Sequence, residues 1–418
     1  MSNKTDRPRL RILLGYSYYE SEDNVRKRVE GWLERLRAAG FQVEPFVLTL
    51  DPPKDRLSWK DLEHRWKRKE KSLLTMYDQL AAKLENYDVF INWNGINVHP
   101  EVLQTLPSFK VYACFDDPES SDDLSRPVAA AYDCCMVGNI ACLSMYRNWK
   151  CKNVGWWPLG FHPTDFSSEL TADRIREGFR DVSVSMLCER LSNWRGDRLD
   201  RVTQAFPEGK YYGRGWRNGF LPEADRVPLL QRSCVAINIH NSIGPVNYRT
   251  FYLPANGVLQ VCDNREHLAS IFALDKEVIA YDTIEDAIDK VRYYLSHDRE
   301  RREIAANGFE RAKRDYNEIE VFSRVMAHIE TACSAFNTET ATTISTQPKY
   351  SYLGSLQYRT EVAAMNLRDS IYRRTKPISH LINGPSSCHK STLQRDFDCL
   401  DRPFERNVDS TNEPSDMH

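Results

Sequence analysis

The feature that most constrains this chain is a strand-helix-strand alternation that runs through its first third and then starts again. Leu10 to Gly15 reads as a buried strand, and an amphipathic helix from about Asp23 to Ala39 follows it, with Val25, Val29, Trp32, Leu33 and Leu36 on one face. Gly40 then supplies a stop, and residues 41–48 read as a second strand. A β-α-β opening implies parallel strands joined by right-handed crossovers, so helices must cover both faces of the sheet. Further short strands are expected at 89–92, 110–115, 134–137 and 154–157. The charged stretch 57–86 carries Trp59, Leu62, Trp66, Leu73, Leu74, Tyr77 and Leu80 at helical spacing, and its KRKEK run reads as a solvated face.

The stretch WWPLGFHPTDF, residues 156–166, concentrates aromatics, Pro and Gly where a crossover between domains would lie. After it the alternation resumes: strands at 182–187, 211–212, 235–239, 258–262 and 278–280, then helical patterns at 285–296, 298–316 and 319–333. At 418 residues the chain exceeds what one core usually organises. The expected architecture is therefore α/β with two doubly wound domains, 1–165 and 166–335, and a polar, largely disordered tail, 336–418. Tracts such as NTETATTISTQP and NVDSTNEPSDMH hold too little apolar content for a core of their own, although 359–373 is a helix candidate within them.

Composition narrows the partners. The 57 basic and 59 acidic residues give a formal net charge of −2, so no global field draws the chain to nucleic acid or to an anionic membrane, and any anion must be gripped locally. The amino terminus lacks an apolar run long enough for a signal peptide, and no stretch reaches membrane length, which makes the cytoplasm the expected location. The 11 cysteines are scattered, and the adjacent pair Cys134 and Cys135 has no C-x-x-C spacing, so reduced thiols are expected and no zinc site.

Open α/β sheets bind ligands beyond the carboxyl ends of their strands. The segment INIHNSIGPVNYRTFYLPANGVLQVCD, residues 237–263, is the most informative in that respect. An apolar strand ends in His240, a Gly/Pro loop follows, and Asn247 and Arg249 open a helix that stops near Gly257. An arginine at a helix start suits a phosphate, unless Arg249 merely pairs with an acid and His240 merely caps the strand. Arg195 and the Gly213-Arg214-Gly215 turn are further candidates for an anion, and Trp216 could stack on a nucleobase or simply pack. In the first half, residues 15–19, the group Asn92, Asn94, Gly95 and His99, and the pair Asp116 and Asp117 all follow strands. His99 and Asp116 are the candidate general bases, while for Asp116 a turn cap in DDPES is the plainer role. His162 in the crossover shapes the turn or binds a ligand. Asp116 and Asp117 are as easily a turn as a metal clamp, so no metal site is expected.

Taken together, N-x-R-x-F at 247–251 with Gly257, the ending EVIAYDTIEDAIDKVRYYLSHDRERREIAANGFERAKRDY, and YDCCMV, NVGWWPLGFHPTDF, DVSVSML and KYYGRGW resemble the CgeB-like, spore-maturation group of glycosyltransferases, across most of residues 85–330. The resemblance implies a GT-B fold, two Rossmann-like domains facing across a cleft and related to the family-four retaining enzymes. It also implies sugar transfer from a nucleotide diphosphate sugar, used as co-substrate, to an acceptor that is a glycan, a small molecule or a protein. No cofactor and no obligatory metal are implied. Donor contacts would come from Arg249, Asn247, Tyr252, His240, Arg195, Gly213, Arg214 and Trp216. Tyr252 stands where that group carries a glutamate, and Gly244 occupies the position eight earlier, so the paired-glutamate pattern is absent. A carboxylate accepts two hydrogen bonds from ribose hydroxyls and steadies positive charge at an anomeric carbon, whereas a phenol offers one donor and weak acceptance. Two other readings stay open: a non-catalytic GT-B-like binding or scaffold protein, and an epimerase or phosphorylase on the same fold.

Overall fold

The computed structural model describes residues 10–340, apart from 18–22, 49, 51–56, 94, 164–165 and 191–192 and the side chains of 23–25, 193–194 and 337–340. Tyr19, Asn94 and nearly all of the expected disordered tail, with its helix candidate, lie outside the described residues. The first half runs β1 (Arg11–Tyr16), α1 (Asp23–Ala38), β2 (Gln42–Val47), α2 (Trp59–Lys67), α3 (Lys71–Leu84), β3 (Val89–Trp93), α4 (Pro100–Leu103), β4 (Phe109–Cys114), β5 (Cys134–Val137), α5 (Leu143–Asn148) and β6 (Val154–Trp156). The second runs α6 (Ala172–Glu177), β7 (Val182–Leu187), α7 (Asn193–Ala205), β8 (Lys210–Tyr212), α8 (Glu223–Arg232), β9 (Ser233–Asn238), α9 (Arg249–Ala255), β10 (Leu259–Cys262), α10 (Arg265–Leu268), β11 (Ile279–Ala280), α11 (Ile284–Ser296), α12 (Asp298–Asp315) and α13 (Glu318–Thr340).

Both sheets are parallel throughout, in the orders β2-β1-β3-β4-β5-β6 and β11-β10-β9-β7-β8. Central strands such as β4 and β9 are buried along their whole length because helices cover both faces, which is why they read as continuous apolar runs and do not alternate. The single helix expected over 57–86 is two. Lys69 takes a left-handed backbone, with φ 50°, between α2 and α3, and this turn lets Trp66 and Tyr77 pack together with ring centroids 6.1 Å apart.

The final helix does not stay with the second sheet. Residues 318–335, expected with the second domain, return to the first: Phe322 of α13 is fully buried, with ring centroids 5.7 Å from Trp32 and 4.9 Å from Phe41. Glu318, at the start of α13, is gripped by Arg35 of α1 and by His162 of the crossover, whose Nδ1 lies 2.7 Å away. Hydrogen bonds from these two side chains hold the Glu318 carboxyl below its ordinary range against the opposing effect of burial. His162 is thus a fastener of the crossover. Consequently one continuous core runs from Trp32 and Trp157 in the first half to Phe251 and Tyr316 in the second.

Candidate functional site

In a doubly wound sheet the strand order reverses at a point where the loops leaving two neighbouring strands diverge and open a crevice. In the second sheet that point lies between β7 and β9, since β7 leads outward to β8 while β9 leads the other way to β10. Arg249 sits across it. Its Nη1 donates to the carbonyl of Leu187 at the end of β7 (3.3 Å), its Nη2 to the carbonyl of Ile239 just past β9 (3.3 Å), and its Nε to Asn238 Oδ1 (3.0 Å). Arg195, on α7, shares the Ile239 carbonyl through Nη1 at 3.4 Å and also donates to the Glu189 carbonyl. Burial depresses the Arg195 pKa, and the like charge of Arg249 adds to that effect. Among the described residues no carboxylate lies within ion-pairing distance of Arg249. Two guanidinium groups oriented by backbone carbonyls have the chemistry to hold an anion, which makes this a candidate anion seat.

A polar network behind the seat holds Arg249 in place. Asn238 Oδ1 accepts from Arg249 Nε and from Asn247 Nδ2 (3.0 Å), while Asn247 Oδ1 accepts from the Thr250 amide (3.1 Å) in the first turn of α9. His240 lies between Asp263 and Thr250, with Nδ1 2.6 Å from Asp263 Oδ1 and Nε2 3.1 Å from Thr250 Oγ1. His240 and Asn247, expected at the donor, therefore serve as its backing: His240 is 1% exposed and both of its ring nitrogens are engaged. Asn238, Thr250 and Asp263 had drawn no attention in the sequence, although each lies within one or two residues of a strand end or a helix start. His240, Cys262 and Asp263 are also the one group of metal-ligand type that clusters among the described residues. Its geometry is that of a hydrogen-bonded pair, and the neighbouring guanidinium groups disfavour a cation there.

The remaining expected contacts divide. Gly213 has φ 135°, and a side chain there would meet the Cys188 carbonyl at 2.2 Å, so the 213–215 turn lies directly against the segment leaving β7. Arg214 points outward, 3.8 Å from Glu189 in an exposed pair of little energetic weight. The Trp216 ring stacks on Tyr211 at 5.4 Å and 20°, and its Nε1 donates to the Cys188 carbonyl at 2.6 Å, so packing accounts for it. Tyr252 corrects a further expectation: it is 7% exposed and packs in the core beside Arg226, whose guanidinium lies 5.7 Å from the ring centroid. His99 is likewise no base. Its ring stacks with Trp66 and Trp59 at 4.7 and 5.6 Å, Nε2 meets Glu63 at 3.0 Å, and Nδ1 accepts the Glu101 amide at the start of α4.

Asp116 is half-buried in the turn that follows β4, where its carbonyl accepts from the Ser120 amide. Its neighbour Asp117 is buried and accepts a 2.5 Å bond from the Tyr146 hydroxyl. Burial raises the Asp117 pKa despite that bond, while Glu119, exposed two residues on, lies against Ser242 of the second half. A carboxyl that binds its proton more tightly when folded adds stability below the ordinary Asp value of about 3.8 and loses that contribution as pH rises through the folded pKa. Asp117→Asn keeps the Tyr146 bond and removes the titration. The stability difference between variant and wild type should thus shift in favour of Asn as pH rises from about 3.8 toward neutrality. Denaturant unfolding at a series of pH values checks this, and a pH-independent difference would contradict it.

With this geometry in hand, residues 187–326 match a family model described as glycosyl transferase-like. The structure is similar to that of HepE from Anabaena in complex with UDP, at 10% identity over 77% of this chain and 100% of that one, with a TM-score of 0.53. It is also similar to sucrose-phosphate synthase from Thermosynechococcus elongatus (14% identity, 80% and 100% covered, TM-score 0.55). A third likeness is to a glycosyltransferase from Rickettsia africae (10% identity, 78% and 99% covered, TM-score 0.53). The fold is GT-B. Among curated proteins no sequence matches the chain. The matched span begins at Leu187 and includes Arg195, Arg249 and Asp263. No helix among the described residues is long and apolar enough to cross a membrane.

Proposed function

We propose that the chain is a glycosyltransferase that moves a sugar from a nucleoside diphosphate sugar to a hydroxyl-bearing acceptor. One observation carries the reading: Arg195 and Arg249 converge on the Ile239 carbonyl at the β7/β9 switch point, and Arg249 has no acid partner among the described residues. Charge develops on the diphosphate as the glycosidic bond breaks, and preoriented donors at that point lower the barrier without needing a metal. That the similar HepE structures hold UDP supports a nucleotide donor for this chain. For the acceptor side, the half-buried Asp116 in the turn after β4 is the carboxylate we assign to take the proton. The CgeB-like group and a cytoplasmic location belong to this reading.

A second reading, nucleotide binding without turnover, is favoured by the interior placement of Tyr252, which leaves α9 without a carboxylate toward the sugar. Thermal-shift titration of the full chain with UDP, GDP, ADP, TDP and CMP, with and without magnesium, should show selective stabilisation by one nucleotide, about 2.7 kcal/mol at a hundredfold excess over Kd. Turnover of labelled donor sugar then separates the two readings. No stabilisation by any nucleotide or intact sugar nucleotide would sink both.

A further inference from the structure

The seat of the second sheet is braced from the first. Asn139 follows β5 and is fully buried, and all of its amide atoms are committed. Its Oδ1 accepts the Ala141 amide (3.1 Å), while its Nδ2 donates to the Asp117 carbonyl (3.1 Å) and, across the two sheets, to Ser242 Oγ (2.9 Å). Ser242 and Gly244 belong to the loop 241–246 between β9 and α9. That loop is tied at one point to the end of β10, where Asn264 Nδ2 donates to the Ser242 carbonyl (3.3 Å). Downstream it delivers Asn247 into the network that orients Arg249. Gly244 is buried and its φ lies outside the left-handed region, so its backbone would accept any residue. Space would not: a Cβ there would fall 1.9 Å from Asn139 Oδ1 and 2.9 Å from Ala141 Cβ.

We propose that Asn139 is a positioning residue for the anion seat, acting through Ser242 and Gly244 on the loop that delivers Asn247 and Arg249. The inference rests on the reading that Arg195 and Arg249 take a diphosphate. It assigns position 244 to the contact between the two halves, and the packing against Asn139 leaves no room there for a donor-binding carboxylate. Anything that favours the contact should favour the anion, and the anion should in turn favour the contact, because coupling between two sites is reciprocal.

The experiment uses the full chain, UDP as probe, calorimetry for affinity and hydrogen exchange for the loop. In wild type, UDP should slow exchange in 139–142 as well as in 241–250. Gly244→Ala, whose methyl wedges against Asn139, should speed exchange in 241–250 and weaken UDP by about tenfold or more, and the milder Ser242→Ala by about threefold to tenfold. The Ser242→Ala penalty should shrink in an Arg249→Lys background, which general destabilisation would not produce. Full UDP affinity in either Gly244→Ala or Ser242→Ala, or an undiminished penalty in the Arg249→Lys background, overturns the proposal while leaving the anion seat standing. Should wild type bind neither UDP nor pyrophosphate, the reading of the seat falls. Exchange at 247–250 in Gly244→Ala then decides alone, acceleration supporting the positioning role of Asn139 and no change overturning it.

Discussion

Arg249→Ala is expected to weaken binding of a nucleoside diphosphate by about 1.5 to 3 kcal/mol, roughly 10- to 150-fold in Kd. The magnitude follows from what the side chain does at the switch point. Its three contacts, to Leu187, Ile239 and Asn238, are to neutral acceptors, so its charge is not neutralised by a neighbouring carboxylate and a phosphate would meet it nearly undiminished. Arg195 remains in the variant and keeps the Ile239 carbonyl occupied, which limits both the loss of affinity and the structural cost. Calorimetric titration with UDP, together with a melting curve, provides the check. Unchanged affinity in a folded variant would remove Arg249 from the site and would move the anion away from the β7/β9 crevice.

Phe322→Ala should cost about 3 to 5 kcal/mol of stability, the range for emptying a large buried aromatic site. Phe322 is fully buried against Trp32, Phe41 and Trp157, with ring centroids 4.9 to 6.0 Å away, so its truncation empties a space enclosed by large aromatic side chains. Tyr293→Ala, at an exposed aromatic, is the control and should change stability far less. Equal losses in the two variants would mean that α13 is not integral to the first half.

The architecture was legible because parallel strands buried on both faces leave short apolar runs, and these recur all the way from Leu10 to Ala280. The helices that escaped notice, α4, α5, α6, α8 and α10, are short or, in α8, interrupted by Pro228, so they lack the two or three turns over which a 3.6-residue period becomes visible. Arg249 could be singled out because an arginine that opens a helix is a chemical signal, and the structure brings Arg195, near the start of α7, to the same Ile239 carbonyl. Tyr252 and His99 misled for one physical reason: a polar residue near a strand end or motif position reads the same whether it faces a crevice or is enclosed by neighbours distant in sequence. For His99 those neighbours are Trp59, Glu63 and Trp66 on α2. Asn139 and Ser242 were illegible because their meaning lies in a contact 103 residues apart in sequence.

The return of α13 also bears on the order in which a ribosome would release this chain. Trp32 and Phe41 emerge early, yet the side chain that covers them, Phe322, is added only after the whole second sheet has been made. Until then an aromatic face of the first half stands open to water, and domain-by-domain folding during synthesis cannot close it. The first sheet thus waits for the second, because the aromatic face around Trp32 and Phe41 is completed only when Phe322 arrives.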